Sequence, residues 1–292
     1  MRLTYAAPIV PAAGSPLVTP SAAEEAIEGL SLGKGGPVTE MWAGDDRAIR
    51  GSGKTAIRWY GRFGNRILEQ AGSTNAIYVA SGVNSKGAIG LIYGSGMRCV
   101  GLSPPTGGDY SVAVVIQRCA TSPSTRALWG TSDAAASSHR VSFTAGGVAA
   151  YRNNVVVVNS AAATAAGEKA VFVFGWKNDI TRATLRRNGT QLGRNTNAQA
   201  GPSGHFMIGG YAGPSAAVNG SWIGAVNGSS SGSQTGLSIA DPLVYSSVGA
   251  THDPDLIARV IYAQVDLTDA AHATALATLE SNLGAIYGIT IA

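Results

Sequence analysis

An antiparallel, jelly-roll β-sandwich closed by one C-terminal α-helix is the fold this sequence predicts, and three features predict it. From about residue 55 onward, short apolar runs recur between glycine-rich turns, with no helical period among them. Near the end, the apolar stretch Leu256 to Tyr262 leads through Asp266-Leu267-Thr268-Asp269 into a segment with leucines at helical spacing. Apolar residues make up 45% of the 292 residues and charged ones 13%, which supports a real core and excludes a disordered chain.

Residues 1–50 read as an N-terminal arm and residues 51–292 as the sandwich. Pro8, Pro11, Pro16, Pro20 and Pro37 favour an extended course for the arm. Ser21-Ala22-Ala23-Glu24 has capping-box spacing, in which Ser and Glu satisfy each other's exposed backbone donors. It predicts a short helix through about Leu30, stopped by Gly33, Gly35 and Gly36. The arm's apolar residues, Leu3, Tyr5, Ile9, Val10, Leu17 and Val18, predict that it is ordered against another subunit.

Strands are predicted at Ile77–Ala80, Ala88–Tyr93 and Met97–Leu102. Tyr110 to Gln117 is apolar on both faces and so reads as a central strand. Arg140–Phe143, Val148–Tyr151 and Val155–Val158 follow at hairpin spacing, and Ala170–Trp176 is a second core strand. Asn188-Gly189 joins Thr184–Arg187 to Thr190–Leu192, because both positions of such a turn need positive φ. The closing helix, 269–287, is capped by Thr268, carries Leu276, Leu279, Leu283 and Ile286 on one face, and stops at a left-handed Gly288.

Charge is uneven along the chain. Residues 1–50 carry four Lys/Arg against six Asp/Glu, residues 51–200 sixteen against five, and residues 201–292 Arg259 alone against six. The basic middle lacks dense Lys/Arg clusters, so scattered solvated charges are expected rather than a nucleic-acid groove. Cys99 and Cys119 each sit in apolar runs and read as buried thiols. No segment reaches the length of a membrane-spanning helix, and the proline-broken N-terminus is a poor secretory signal.

Several of these residues resemble the concanavalin A-like lectin/glucanase superfamily in its laminin-G-like form, found in bacterial and phage proteins. The resemblance starts at Arg58-Trp59-Tyr60-Gly61-Arg62-Phe63-Gly64-Asn65 and continues through Ile77 to Ala88. It runs on in Val171 to Trp176 with Arg187-Asn188-Gly189, and in Phe206 to Gly210. It ends with Ile257 to Tyr262, Leu267-Thr268-Asp269 and Tyr287-Gly288-Ile289, and so covers about residues 55–289. Two departures stand out: a Gly- and Ser-rich insertion at 211–255, and Arg259 where family members often carry an acidic residue.

No residue set carries recognisable catalysis. Ala48 to Thr55 fits a relaxed P-loop pattern, but no apolar strand precedes it and no helix follows, so a loop is expected. Glycoside hydrolysis needs two carboxylates across a cleft, and no strand carries an acidic cluster. His139, His205, His252 and His272 lack metal-ligand spacing; Asp109, Asp133 and Asp179 are loop oxygens that could meet calcium but form no pattern. No metal and no cofactor are therefore expected.

Sugar recognition rests on aromatic rings exposed for stacking. Trp129, Tyr211, Trp222 and Tyr245 are the loop-side candidates, whereas Trp59 and Trp176 are expected in the core. Together with the resemblance, these features imply a non-enzymatic virion structural protein of a phage: a head decoration, spike or tail-fibre module on the particle surface. Its partners would be capsid or tail subunits, a cell-surface glycan and further copies of itself, for instance in a trimer, with no nucleic acid or membrane partner. The alternative is a soluble carbohydrate-binding lectin module.

Overall fold

The computed structural model describes residues 21–30, 40–43, 48–50, 55–60, 67–70, 76–91, 97–99, 102, 107–118, 126–132, 139–144, 147–152, 155–161, 164–165, 167–196, 205–211, 223–224 and 255–292. Helix α1 spans Ala22–Glu28. Strands then follow in chain order: β1 (Glu40–Ala43), β2 (Ala48–Arg50), β3 (Thr55–Tyr60), β4 (Ile67–Gln70), β5 (Ala76–Val83), β6 (Lys86–Leu91) and β7 (Met97–Cys99). Next come β8 (Tyr110–Gln117), β9 (Arg126–Ser132), β10 (His139–Thr144), β11 (Gly147–Arg152), β12 (Val155–Ser160), β13 (Lys169–Lys177) and β14 (Arg182–Arg187). The series ends with β15 (Thr190–Thr196), β16 (His205–Ile208), β17 (Gly210–Tyr211), β18 (Ile223–Gly224) and β19 (Asp255–Ala263). A 3-10 turn at Ala270–His272 leads into helix α2 (Ala273–Tyr287).

The described strand pairings are antiparallel. β15, β14, β13, β8 and β19 lie side by side. The far side of β19 meets β1 along Arg259–Tyr262 and β6 along Asp255–Ile257. From β6 the ladder continues through β5, β3, β4, β7, β16, β9, β10 and β11 to β12.

Aromatic contacts show that two stretches of this ladder face each other. Trp129 of β9 meets Phe174 of β13 edge-on, 5.2 Å between centroids. Phe143 of β10 lies 5.5 Å from Phe172 of β13, and Phe206 of β16 lies 5.8 Å from Tyr262 of β19. None of these strand pairs is among the described ladder pairings, so the contacts cross between layers of a sandwich. The expected all-β sandwich is present.

β8 is the central strand its two apolar faces predict, flanked by β13 and β19. Strand alternation sends Tyr110, Val112, Val114 and Ile116 into the sandwich core and Ala113 and Val115 to the opposite face. That outer face is roofed by α2 through Leu276, Leu279, Leu283 and Ile286, over small residues such as Ala113 and Ala258. Each fully buried leucine contributes about 1.5–3 kcal/mol, which anchors a helix too short to persist alone. Gly288, at φ +63°, ends α2 as expected.

The cap of the closing helix differs from the expectation. Asp269, not Thr268, accepts a backbone N–H, that of Ala271 at 3.1 Å, and starts the 3-10 turn ahead of α2. Thr268 instead donates its backbone N–H (2.9 Å) and hydroxyl (2.6 Å) to Asp266 Oδ1. A carboxylate two residues upstream outcompetes the helix end for that hydroxyl. Gly175 of β13 makes room for this turn, since a Cβ there would meet Thr268 Oγ1 at 2.5 Å.

The Ser21–Glu24 capping box forms: Ser21 N–H donates to Glu24 Oε2 at 2.9 Å and Glu24 N–H to Ser21 Oγ at 3.3 Å. The helix ends at Glu28 with Gly29 as its C-cap, close to the Leu30 expected; Gly33, Gly35 and Gly36 lie outside the described residues. Ala23, Ile27 and Leu30 join the apolar layer of the chain's own α2. Residues 1–20 of the arm lie outside the described residues. Asn188 (φ +47°) and Gly189 (φ +84°) make the predicted hairpin turn. Trp59 and Trp176 are in the core as expected, and Cys99 is a buried free thiol; Cys119 lies outside the described residues. After the P-loop-like segment comes strand β3, antiparallel to β2, so no helix end faces a phosphate there.

Candidate functional site

Tyr110 of β8 stands opposite Trp176 of β13. In antiparallel neighbours that register sets the turn entering one strand beside the turn leaving the other. Gly107, Gly108 and Asp109 thus come together with Asn178 and Asp179. β19 ends on the same side, with Ala263 opposite Ser111, and delivers Gln264 and Val265; His272 completes the wall at the start of α2. These eight residues line a cleft of about 500 Å³. Asp109 and Asp179, separate loop acids in the sequence, share this cleft; Asp133 lies outside the described residues.

The cleft is braced by charge. Asp109 Oδ1 accepts the Asn178 N–H at 2.8 Å, while its Oδ2 lies 3.3 Å from Lys177 Nζ. Lys177 also reaches Asp269 Oδ2 at 3.7 Å. Arg182 Nη2 bridges Asp266 Oδ2 at 2.8 Å and Asp269 Oδ2 at 2.9 Å. Leu267 N–H donates to Ser111 Oγ at 2.8 Å, which ties the β19–α2 connection down to β8. The hydrogen bond to Asp109 holds the Lys177 ammonium above its usual range, outweighing its desolvation. The Ala271 N–H and then Arg182 draw the Asp269 carboxyl down to about 2.

The other cleft side chains supply groups that bind hydroxyls: the amides of Asn178 and Gln264, the Asp179 carboxylate and the His272 imidazole. Among the described residues no three His, Cys, Asp or Glu side chains gather as metal ligands. No described helix is long and apolar enough to cross a membrane.

Of the predicted sugar-stacking aromatics, Trp129 is corrected. It is 1% exposed and wedged between Tyr110 (6.4 Å) and Phe174, opposite Val141 of β10, so it offers no ring face to a ligand. Its apolar neighbour Leu128 was the sequence signal for a core strand. The Tyr211 backbone pairs with Ile223 across β17 and β18. Trp222 and Tyr245 lie outside the described residues. Sequence reasoning passed over Gln264 as a cleft residue and treated His272 merely as an unpaired histidine.

No protein-family model matches the chain, and no curated protein matches it. Among solved structures it is similar to domain 4 of a GH43 extracellular arabinanase from Geobacillus stearothermophilus, in complex with arabinotriose. The TM-score is 0.51 at 16% identity, over 82% of this chain and 98% of that one. Trypanosoma rangeli sialidase in complex with sialic acid gives 0.52 at 11% identity, over 89% and 37%. The same sialidase in complex with the inhibitor DANA gives 0.50 at 10% identity, over 88% and 35%. The chain therefore spans nearly the whole arabinanase domain but little more than a third of the sialidase chains. At these identities the likeness is one of fold.

Proposed function

We propose that this chain is a carbohydrate-binding β-sandwich module of lectin-like, jelly-roll type that holds a glycan without cleaving it. The observation that carries this reading is the cleft, where three connections at one end of the sandwich converge amide, carboxylate and imidazole groups. Gly107 and Gly108 leave room for a sugar ring to approach the backbone. The domain-length likeness to an arabinanase domain in complex with arabinotriose supports the same reading. Asp109 is already occupied in bracing the cleft through Asn178 and Lys177, which favours a structural role for it over that of one of the two flanking carboxyl groups glycoside hydrolysis ordinarily uses. Tyr211, Trp222 and Tyr245 would add stacking surfaces.

Titration calorimetry with arabinotriose and a panel of neutral and sialylated oligosaccharides tests it. Binding by the wild type that falls about tenfold or more, roughly 1.4 kcal/mol, in Asp179→Asn/Gln264→Ala supports the cleft. No binding by the wild type, or binding unchanged in the double variant, overturns it. Release of reducing ends from any of these sugars would overturn the non-enzyme reading.

Display on a phage particle is a further part of the reading and rests on the Pro-rich arm and the concanavalin A-like sequence features. In that setting the module would sit on the particle surface as a homo-oligomer beside capsid or tail subunits. Light scattering on the purified chain and particle incorporation after removal of residues 1–20 test it; a monomer that is incorporated equally well without them defeats it.

A further inference from the structure

At the end of the sandwich nearest the cleft, two cross-strand pairs confront each other through the core. Tyr110 stands opposite Trp176 on β8 and β13, and His139 stands opposite Arg152 on β10 and β11. The Tyr110 and His139 rings stack at 5.9 Å, and His139 meets Trp176 edge-on at 4.8 Å. Arg152 Cζ lies 5.0 Å from the Trp176 ring centroid. Trp176, His139 and Arg152 are each no more than 1% exposed.

The Tyr110 hydroxyl is hydrogen-bonded to His139 Nδ1. Assigning the phenol as donor leaves the imidazole proton on Nε2. Three side chains then present buried N–H groups with nothing to receive them. Arg152 Nε, Nη1 and Nη2, His139 Nε2 and Trp176 Nε1 all lack a hydrogen-bond partner. Buried polar groups are almost always satisfied, so this many orphans in one place signal a missing acceptor. Burial draws Arg152 down to about 10, which still leaves it protonated near neutral pH. A neutral water could take up hydrogen bonds here but would leave the buried charge uncompensated.

We propose that Arg152, His139 and Trp176 form an enclosed binding site for a small monovalent anion, chloride or a carboxylate of formate size. The guanidinium supplies the countercharge and a fork of donors, and the imidazole and indole N–H groups close the shell. Because Trp176 comes from one layer and His139 and Arg152 from the other, the anion cross-links the two layers. This site is independent of the glycan reading and involves none of the cleft side chains.

The full chain is dialysed into gluconate, too bulky for an enclosed site. It is then titrated at constant ionic strength with chloride or, separately, formate while Tm is followed. The wild type should show a rise of roughly 3 °C for each tenfold increase past half-saturation. Trp176→Phe, which keeps a ring and loses the N–H, should move half-saturation to higher concentration; Arg152→Met should abolish the response. Crystals grown in bromide should show an anomalous peak among the three side chains. A response to chloride alone assigns a halide, and one to formate assigns a carboxylate; either upholds the site. A flat wild-type Tm with no bromide peak there overturns it, as does an unchanged response in Arg152→Met. Should that variant fail to fold, the Trp176→Phe titration and the bromide peak decide.

Discussion

Arg259 Nη2 lies 3.3 Å from Glu24 Oε1, joining the last strand to the first helix across 235 residues of sequence. Both side chains are buried, and the guanidinium also lies 5.6 Å from the Tyr287 ring of α2. The basic residue that departs from the concanavalin A-like pattern thus has a structural occupation. It receives the arm's helix, and the same Glu24 closes that helix's capping box.

Glu24→Gln preserves the capping geometry and removes the countercharge. It should cost about 3–5 kcal/mol in urea unfolding, because Arg259 is left buried and unpaired. Adding Arg259→Met should recover most of that loss. Equal stability of Glu24→Gln and wild type would show that the pair is not maintained in solution.

Acid should weaken the protein through two carboxylates. Burial pushes Glu24 up, but Ser21 N–H and Arg259 outweigh it and hold the group below its ordinary value. Asp269 is drawn from 3.8 to about 2. A carboxyl depressed in the folded state stabilises fully above its unfolded pKa, and that contribution is lost as pH falls through the folded one. Stability should therefore decline between about pH 4.5 and 2. Arg182→Gln should flatten the lower part of that decline in pH-dependent denaturant melts; an unaltered profile would exclude the Arg182–Asp269 contact as its source.

Gly175→Ala should cost about 1–3 kcal/mol, as overpacking does. The new methyl would run into Thr268 Oγ1 and displace the Asp266–Asp269 turn from β13. Hydrogen exchange at Leu267 N–H, now bonded to Ser111, should speed up with it.

Gly189→Ala places a side chain at φ +84°, where its Cβ would also meet Ile291 Cγ2 at 2.8 Å. A loss of about 1–2 kcal/mol, read by thermal unfolding, is expected from the backbone conformation alone.

Much of the scaffold was legible because local chemistry and tertiary packing agree. The double-faced apolar pattern of Tyr110–Gln117, the Asn188-Gly189 turn, the Ser21–Glu24 box and Gly288 each specify one geometry whatever surrounds them. Thr268 misled because a capping hydroxyl is a local signal, while its actual acceptor, Asp266, is fixed by contact with Gly175 and Arg182 far away in sequence. The cleft was half visible: Asp109 and Asp179 were noticed as loop acids. Their meeting follows from the Tyr110–Trp176 register, which no local pattern encodes. Trp129 looks like a loop aromatic in the sequence because β9 bulges at Leu128, which places Leu128 and Trp129 both in the core and breaks the alternation that marks a strand face.

The position of β19 has a consequence for how the chain reaches this state. Residues 255–263 occupy the middle of the ladder, between β8 on one flank and β1 and β6 on the other. The earlier strands face a gap one strand wide until this segment arrives, and closing it joins Trp42 to Val260 across most of the polypeptide. Folding should accordingly be slow and end-weighted, since long-range pairing must pay its loop-closure entropy before any contact rewards it. On a ribosome, the segment through Ala263 must emerge before the sheet becomes continuous.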